Sequence, residues 1–262
     1  MTQHEYFAAS TSDSVERERL AALEAATDPK SRRHLQTIGV GPGWKCLEVG
    51  GGGGSITRWL CETVGSSGRV VATDIDTRFL RQIDEPNVEV RTLDILRDTL
   101  EDSEFDLVHC RLLLIHLSDV DAALRRMIRA ARSGGWILIE ETDFSTYRAA
   151  DPEHPSSEYF TQKVREIFDG IARLRLFDPY LGCRVRSFLE HAGLSDVASE
   201  GTAYIWHGGE AEAEEHRRSL PALVQAGVCS ESDSLKLQTI LGDPQFTFVG
   251  HTVFSAWGRR AV

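Results

Sequence analysis

The sequence predicts an α/β protein built on a mostly parallel β-sheet with helices on both of its faces. Three observations support this fold class. A short apolar run, Cys46 to Val49, precedes five glycines, and residues 55 to 63 then alternate apolar and polar side chains at helical spacing. Further β-branched runs alternate with helical patterns, and each run ends in polar or acidic residues. Because the carboxyl ends of parallel strands share one edge of a sheet, we expect a ligand site at that edge.

The composition limits the classes of partner. A chain of 262 residues with 41% hydrophobic content can bury a complete core. Its net charge of −11 offers no basic surface for a nucleic-acid backbone, so we expect a small-molecule partner. The sequence shows neither an apolar run of membrane-spanning length nor a signal-peptide core near its beginning. The five cysteines are odd in number and lack a C-x-x-C pair, which predicts a reduced, cytoplasmic and metal-free protein.

The glycine-rich stretch from Gly50 to Gly54 is the candidate ligand loop. Glycine allows positive φ and lets a ligand lie against the main chain at the start of a helix. A P-loop is excluded because no lysine follows Gly54. A dinucleotide fingerprint that starts at Gly50 needs a third glycine where Ser55 stands, so binding of NAD is disfavoured but stays open. The spacing fits an alternating series, which consists of Glu48, Gly50, Gly52 and Gly54.

This series resembles the first motif of the class I S-adenosylmethionine-dependent methyltransferases, an acidic residue followed by alternating glycines. The resemblance implies a Rossmann-like, seven-stranded, mostly parallel sheet with an antiparallel last strand and a helical lid. It implies S-adenosylmethionine as the cofactor and S-adenosylhomocysteine as its product. An acidic strand end tolerates this cationic ligand, whereas it would repel a pyrophosphate. The resemblance assigns cofactor contacts to Glu48, Gly50, Gly51, Gly52 and Gly54.

A second strand, predicted from residue 69, ends in Asp74. This acid follows Gly54 by about twenty residues, which is the spacing of a carboxylate that accepts hydrogen bonds from ribose hydroxyls. The same spacing would serve NAD, so it indicates a nucleoside without choosing which. Asp74, Ile75 and Asp76 resemble the family's second motif, which places Ile75 beside the cofactor. We expect Asp76 to cap a helix over 77–83.

Two further strand ends resemble cofactor-binding segments of the family. The strand that begins at residue 88 ends in Asp94, and the resemblance implies that this acid accepts from the adenine amine while the Ile95 backbone meets the ring. The stretch from 105 to 117 resembles the family's FDxVxxxxxLxH segment, which lines the cleft where the methyl group leaves sulfur. The resemblance therefore places Cys110 and Arg111 at the cofactor.

His116 is the first choice for a general base, because it belongs to this cleft-lining segment. A base helps if the methyl acceptor is a hydroxyl or an acidic carbon. His109, His154 and Asp143 are weaker candidates for the same role. A purely structural alternative for His116, a hydrogen bond to the backbone near Ser118 at a helix start, stays open.

We expect four segments in the chain: an N-terminal helical cap at 1–40, a cofactor-binding core at 41–143, a lid at 144–182, and the remainder of the core at 183–262 with a helical insertion at about 210–241. Within the cap, Asp28 and Pro29 predict the start of a second helix. Tyr6 or Phe7 could contact the ligand from this segment.

The expected reaction transfers the methyl group of S-adenosylmethionine to an O, N or C nucleophile of a small, partly apolar metabolite by in-line displacement. The general resemblance is to quinone-biosynthesis and natural-product methyltransferases. Two alternatives stay open: a cofactor-binding structural or regulatory subunit that lacks this reaction, and an NAD-dependent oxidoreductase. The oligomeric state also stays open, with a homodimer among the options.

Overall fold

The computed structural model describes residues 13–261. Its strands are β1 Lys45–Val49, β2 Arg69–Asp74, β3 Val88–Thr92, β4 Phe105–Arg111, β5 Ala131–Asp143, β6 Arg148–Ala149, β7 Ser195–His207 and β8 Thr247–Arg259. Its α-helices are α1 Asp13–Ile38, α2 Ser55–Val64, α3 Val120–Ala130, α4 Ser157–Arg173, α5 Val185–His191, α6 Ala211–Gln225 and α7 Glu231–Leu241. Short 3₁₀-helices lie at Leu80–Gln82, Leu114–His116 and Gly182–Arg184.

The chain forms two compact units. The first comprises residues 1–140, 185–199 and 255–262, and the second comprises 141–184 and 200–254. In the first unit the strand order is β3-β2-β1-β4-β5-β8, and β1 to β5 pair in parallel. Glu140 of β5 accepts a hydrogen bond from Ser255, and Gly134 of β5 donates one to Arg260. The later residue of β5 thus meets the earlier residue of the C-terminal segment, so this part of β8 runs antiparallel to β5.

The parallel register of the first unit sets the ends of four strands side by side. Val49 lies opposite Thr73 of β2 and Cys110 of β4, and Asp74 lies opposite Thr92 of β3. The apolar side chains of β1, β2 and β4 are buried, and those of β3 are partly buried. The glycine loop and the acidic strand ends consequently meet at the carboxyl edge, as the strand pattern predicts.

Helix α1 is continuous, so the expectation of a second helix starting at Asp28 and Pro29 is wrong. Pro29 lies inside the helix and leaves the carbonyl of Ala25 without its usual hydrogen bond. Burial outweighs that loss: Leu35 is fully buried, and it packs in a core cluster with Ile56 of α2. The sequence rule for proline at the start of a helix therefore gave the wrong boundary here.

The second unit is built on a separate apolar core. Its buried residues come from α4, α6, α7 and the segments beside them: Tyr147, Phe160, Val164, Ile167, Phe168, Ile171, Ala213, Leu220, Leu237, Ile240, Leu241, Phe246 and Phe248. The apolar residues of α4, from Phe160 to Ile171, therefore pack in this core, while Leu174 just after the helix is 48% exposed. Strand β6 pairs antiparallel with β8, and β7 also pairs with β8.

The predicted α/β class with a mostly parallel sheet and an antiparallel strand is confirmed. The sheet described over residues 13–261 has eight strands rather than seven, because the two-residue β6 is added. The predicted helix over 77–83 reduces to the 3₁₀-helix Leu80–Gln82, and Asp76 Oδ1 accepts from the Arg78 N–H at 3.2 Å. None of the described helices has the length and apolarity that a membrane crossing requires.

Candidate active site

The glycine loop turns through backbone conformations that suit glycine. Gly50, Gly52 and Gly54 have φ of 77°, 54° and 86°. A Cβ on Gly54 would lie 2.7 Å from the Ile83 side chain, so the position is restricted by space as well as by backbone geometry. Gly50 and Gly51 donate their N–H groups to the carbonyl of Thr73 at 2.8 and 3.0 Å. The loop is therefore anchored to β2.

Asp74 joins this loop to the end of β2. Its Oδ2 accepts the N–H of Gly52 at 2.9 Å, and its Oδ1 accepts the N–H of Asp76 at 3.0 Å. Burial raises the pKa of this carboxyl above its ordinary value, and the two backbone N–H groups oppose that shift. Each carboxylate oxygen can accept more than one hydrogen bond, so Asp74 retains capacity for the hydroxyls of a ligand.

The residues predicted to flank a nucleoside lie at the same edge. Ile75, which directly follows β2, is 53% exposed. Asp94 follows β3, and Leu93 N–H donates to the Asp74 carbonyl at 2.9 Å, so the two acidic strand ends are neighbours. Asp94 Oδ1 accepts the Leu96 N–H at 2.9 Å, and the Ile95 side chain is buried.

Glu48, the acidic residue of the first motif, lies on β1 just before the glycine loop. Its side chain is buried and accepts a hydrogen bond from the Thr57 hydroxyl of α2. Its Oε1 lies 3.7 Å from His109 Nδ1, which is too far for a hydrogen bond but close enough for an ion pair with a protonated ring. Glu48 thus links β1 with α2 and faces β4.

Glu140 of β5 is the centre of a buried polar network that the sequence did not reveal. It accepts from the Ser31 hydroxyl, lies 3.2 Å from both His34 Nδ1 and His109 Nε2, and accepts from the Ser255 hydroxyl at 2.7 Å. These partners come from α1, β4 and β8. The network therefore ties four elements of the first unit at one carboxylate.

The charges in this network stabilise one another. Burial raises the pKa of Glu140, but the hydrogen bonds from His109 and His34 outweigh burial and hold that pKa well below its ordinary value. Burial lowers the pKa of His109, but Glu140 and Glu48 raise it above its ordinary value. Glu140 is accordingly ionised, and a proton on His109 is favoured.

Arg111 at the end of β4 is engaged with α1. Its Nη1 donates to Asp28 Oδ1 and to the Ser31 hydroxyl, both at 3.0 Å. The Ser55 hydroxyl at the start of α2 also donates to Asp28 Oδ1, at 2.8 Å. Glu24, one turn earlier in α1, accepts the Ser55 N–H at 3.2 Å. Two carboxylates of α1 therefore lie at the N-terminus of α2, where the helix dipole favours negative charge.

His116 is an exposed residue at the end of the 3₁₀-helix that follows β4. Partial desolvation of its imidazole and the charge of Arg19 lower the pKa of His116 to about 4, so the ring is neutral at pH 7. Cys110 and His109, which precede it on β4, have fully buried side chains. Of His109, Cys110 and His116, only His116 is exposed and has a neutral imidazole that can accept a proton.

Leu112 is a feature that the sequence did not reveal. It has φ of 53°, a left-handed conformation that is uncommon for a leucine, directly after β4. Its N–H donates to the carbonyl of Glu140 at 2.8 Å, and the next residue, Leu113, packs within 3.2 Å of where a Gly50 Cβ would stand. The strained backbone and the glycine loop therefore fit together closely.

The remaining predicted residues lie elsewhere. His154 Nε2 is 3.5 Å from Asp243 Oδ2 in the second unit. Asp143, in the same unit, accepts from the N–H groups of Ser145 and Cys183 at 2.9 and 3.0 Å. Tyr6 and Phe7 lie outside the described residues.

Comparisons with known proteins agree with this geometry. The methyltransferase-domain family profile matches residues 47–139. The chain is 28% identical over 182 residues to methyltransferase str2 of Strobilurus tenacellus, covering 68% of this chain and 63% of that protein. It is 36% identical over 113 residues to the ubiquinone/menaquinone biosynthesis C-methyltransferase UbiE of Laribacter hongkongensis, covering 41% of this chain and 46% of that enzyme. The matches thus span about half to just under two thirds of these relatives.

The fold matches the solved structure of Haemonchus contortus phosphoethanolamine N-methyltransferase 2 in complex with S-adenosyl-L-methionine. The TM-score is 0.54 at 17% identity, over 87% of this chain and 51% of that one. At such low identity the likeness shows the fold alone. The family profile begins inside β1 and ends inside β5, so it covers the glycine loop and the acidic strand ends described above. Residues 47–139 thus match a methyltransferase domain, and this part of the chain is similar to the class I S-adenosylmethionine-dependent methyltransferases.

Proposed function

We propose that this protein transfers the methyl group of S-adenosylmethionine to an oxygen, nitrogen or carbon nucleophile of a small, partly apolar metabolite, with S-adenosylhomocysteine as the product. The observation that carries the proposal is the bond from Gly52 N–H to Asp74 Oδ2 at 2.9 Å. It holds a glycine loop beside a carboxylate, and Ile75, which is 53% exposed, directly follows that carboxylate in the chain. A carboxylate that accepts hydrogen bonds suits the hydroxyls of a ribose, and an apolar side chain suits the face of an adenine.

The residues at this edge fit that cofactor. Asp74 would accept hydrogen bonds from the ribose hydroxyls, Ile75 would cover one face of the adenine, and Asp94 would accept from the adenine amine. The glycine loop would let the amino-acid portion approach the main chain. When bound, S-adenosylmethionine supplies a methyl group that its positively charged sulfur already activates.

The protein's main contribution to the reaction would be positioning. An in-line displacement needs the acceptor atom held at about 3 Å along the carbon–sulfur axis, and such orientation is worth roughly 7–11 kcal/mol. The buried Glu140 network and the Glu48 to Thr57 bond give the loop and strand ends a rigid base. We place His116 as the base for an acceptor that must lose a proton, because its ring is neutral and exposed.

A small acceptor is supported by charge and by the relatives. The net charge of −11 disfavours nucleic acid as the substrate. The name of the UbiE relative refers to ubiquinone and menaquinone biosynthesis, a pathway of partly apolar small molecules.

Isothermal titration of the purified chain with S-adenosylmethionine, S-adenosylhomocysteine and NAD in parallel tests the cofactor. We expect micromolar binding of the first two and none of NAD, and binding of NAD alone would overturn the proposal. A screen with methyl-labelled cofactor against phenols, quinols, amines and acidic carbon compounds then tests the reaction. Label transfer to one class supports the proposal, whereas cofactor binding without transfer to any acceptor favours the regulatory-subunit alternative.

A further inference from the structure

The second unit contains a cluster of two histidines and one glutamate that the methyl-transfer proposal does not use. Glu212 and His216 lie one turn apart on α6, and His251 lies on β8. One potential ligand atom from each residue lies within 4.8 Å of the others. Two imidazole nitrogens and a carboxylate oxygen are the donor set that zinc commonly takes from proteins.

The distances within the cluster are close to those of a metal site. Glu212 Oε1 lies 3.1 Å from His216 Nε2 and 2.7 Å from His251 Nδ1. Ligand atoms of a tetrahedral zinc ion, with bonds of about 2.0–2.1 Å, lie about 3.4 Å apart. Small side-chain rotations would therefore bring all three atoms to a shared ion.

One contact in the cluster is short but lacks hydrogen-bond geometry. His251 Nδ1 is buried and forms no hydrogen bond with any residue among 13–261, although Glu212 Oε1 is 2.7 Å away. The alignment of this pair is outside the range of a hydrogen bond. If Nδ1 carries a proton, the contact is an ion pair with the carboxylate; if Nδ1 is bare, a divalent ion bound to both atoms satisfies them.

The surroundings of the cluster favour a fixed geometry with access from solvent. The Tyr147 ring packs edge-on against His216 with centroids 4.8 Å apart, and the Phe144 ring lies 5.5 Å from His251. Aromatic packing of this kind holds ligand rings in orientation, as the surroundings of metal ligands do. The Glu212 side chain is 10% exposed, and those of His216 and His251 are 22% and 26% exposed, so an ion can enter without unfolding the unit.

We propose that Glu212, His216 and His251 bind a divalent transition-metal ion of the zinc class, which fastens α6 to β8. Three protein ligands leave a fourth position for water. The expectation of a metal-free protein rested on the cysteines alone. The cluster was hidden from that reasoning, because His251 follows His216 by 35 residues and only the fold brings it to the Glu-x-x-x-His pair.

The test is titration of the tag-free, chelator-treated full chain with zinc chloride, in a Cys183→Ser, Cys229→Ser background that removes the two cysteines that are not buried. We expect one equivalent to bind with micromolar or tighter affinity. We also expect the melting temperature to rise by about 5–10 °C at a hundredfold excess over Kd. Loss of one ligand should weaken binding at least ~10-fold in His216→Ala and in His251→Ala.

The control is His207→Ala, which removes an exposed histidine of the same unit and should leave zinc binding unchanged. If the alanine variants fail to fold, Glu212→Gln preserves the shape of the side chain and removes only its charge. In that case cobalt(II) replaces zinc, and its visible absorption reports the ligand set directly. Absence of one-equivalent binding, or equal binding in the wild type and the ligand variants, would overturn the proposal and leave a histidine–glutamate cluster without a metal.

Discussion

Gly52 and Asp74 are joined by a hydrogen bond of 2.9 Å across 22 residues of sequence. The bond explains why the glycine loop and the acid after β2 belong to one site: the loop is shaped by the same carboxylate that we expect to bind the ribose. Asp74 therefore both holds the glycine loop and is expected to bind the ribose, and a single substitution there tests both roles.

Asp74→Ala should weaken binding of S-adenosylmethionine by about 1.5–3 kcal/mol, or roughly 10–150-fold, because hydrogen bonds to a charged acceptor are lost. Asp74→Asn keeps one oxygen acceptor and should lose less. Titration calorimetry measures both values, with Asp84→Ala as the control at an exposed position. Wild-type affinity in a folded Asp74→Ala protein would rule out the ribose role.

Gly54→Ala and Gly65→Ala form a matched pair at the two ends of α2. Both glycines have positive φ, 86° and 65°, so alanine strains the backbone at either position, by about 1 kcal/mol or more. Only at Gly54 would the new Cβ lie 2.7 Å from Ile83; at Gly65 the space is open. Urea unfolding should therefore show a larger loss for Gly54→Ala, and calorimetry should show weaker cofactor binding for that variant alone. Equal losses in the two variants would contradict the close fit of the loop.

The Glu140 network should make stability depend on pH in a defined direction. The folded-state pKa of Glu140 lies below the unfolded value of about 4.5. Its contribution is thus fully present above pH ~5 and is lost as the pH falls toward the folded pKa.

Glu140→Gln should cost about 3–5 kcal/mol at pH 7, because it leaves buried partners unpaired. The difference in unfolding free energy between wild type and variant should shrink as the pH falls from about 5 to 3. Chemical unfolding at several pH values measures it, and Glu62→Gln at an exposed site is the control. A difference that stays constant with pH would show that Glu140 carries no charge in the folded protein.

Arg111 and Arg32 both contact Asp28 but in different settings. The Arg111 side chain is 11% exposed and bridges β4 to α1 at 3.0 Å, whereas Arg32 is 43% exposed and pairs within α1 at 3.1 Å. Arg111→Ala should destabilise the protein by about 2–4 kcal/mol, and Arg32→Ala by at most about 1 kcal/mol. Hydrogen exchange should show faster exchange of the α1 amides in Arg111→Ala only. Slow exchange in both variants would mean that apolar packing alone holds the helix.

The sequence was informative wherever one short segment determines its own structure. The run from β1 through the glycines to α2 was predicted because strand period, glycine and helix period follow one another within twenty residues. The strands that end near Asp74 and Asp94 were predicted in the same way, from short runs of strand-forming residues. Local signals failed at Pro29, where burial of neighbouring α1 residues overrides the usual helix boundary.

The polar interactions around the site could not be predicted in this way. The partners of Glu140 lie 31 to 115 residues away in sequence, and a serine or histidine on a helix gives no sign of which carboxylate it will meet. Leu112 is similar, because leucine rarely adopts a positive φ and its residue type therefore gives no sign of this conformation.

His116 offers a test of the kind of acceptor. Its pKa of about 4 makes the imidazole neutral above pH 5 but also a weak base, so we expect its contribution at the lower end of the usual ~10²–10⁴-fold range. With a hydroxyl acceptor, His116→Gln should reduce kcat about 10²-fold and leave cofactor affinity unchanged. The wild-type rate should fall as the pH drops through about 4, because protonation removes the base.

The control for this experiment is His191→Gln, at an exposed position on α5. An amine acceptor that is already neutral needs no base before it attacks, so in that case kcat of His116→Gln would equal that of the wild type. If the wild-type kcat instead fell around pH 7, a different group would remove the proton. The charge of Arg19 and the desolvation around His116 both oppose protonation of this ring at neutral pH. The dependence of kcat on pH, measured for the wild type and for His116→Gln, therefore reports both the class of methyl acceptor and the identity of the base.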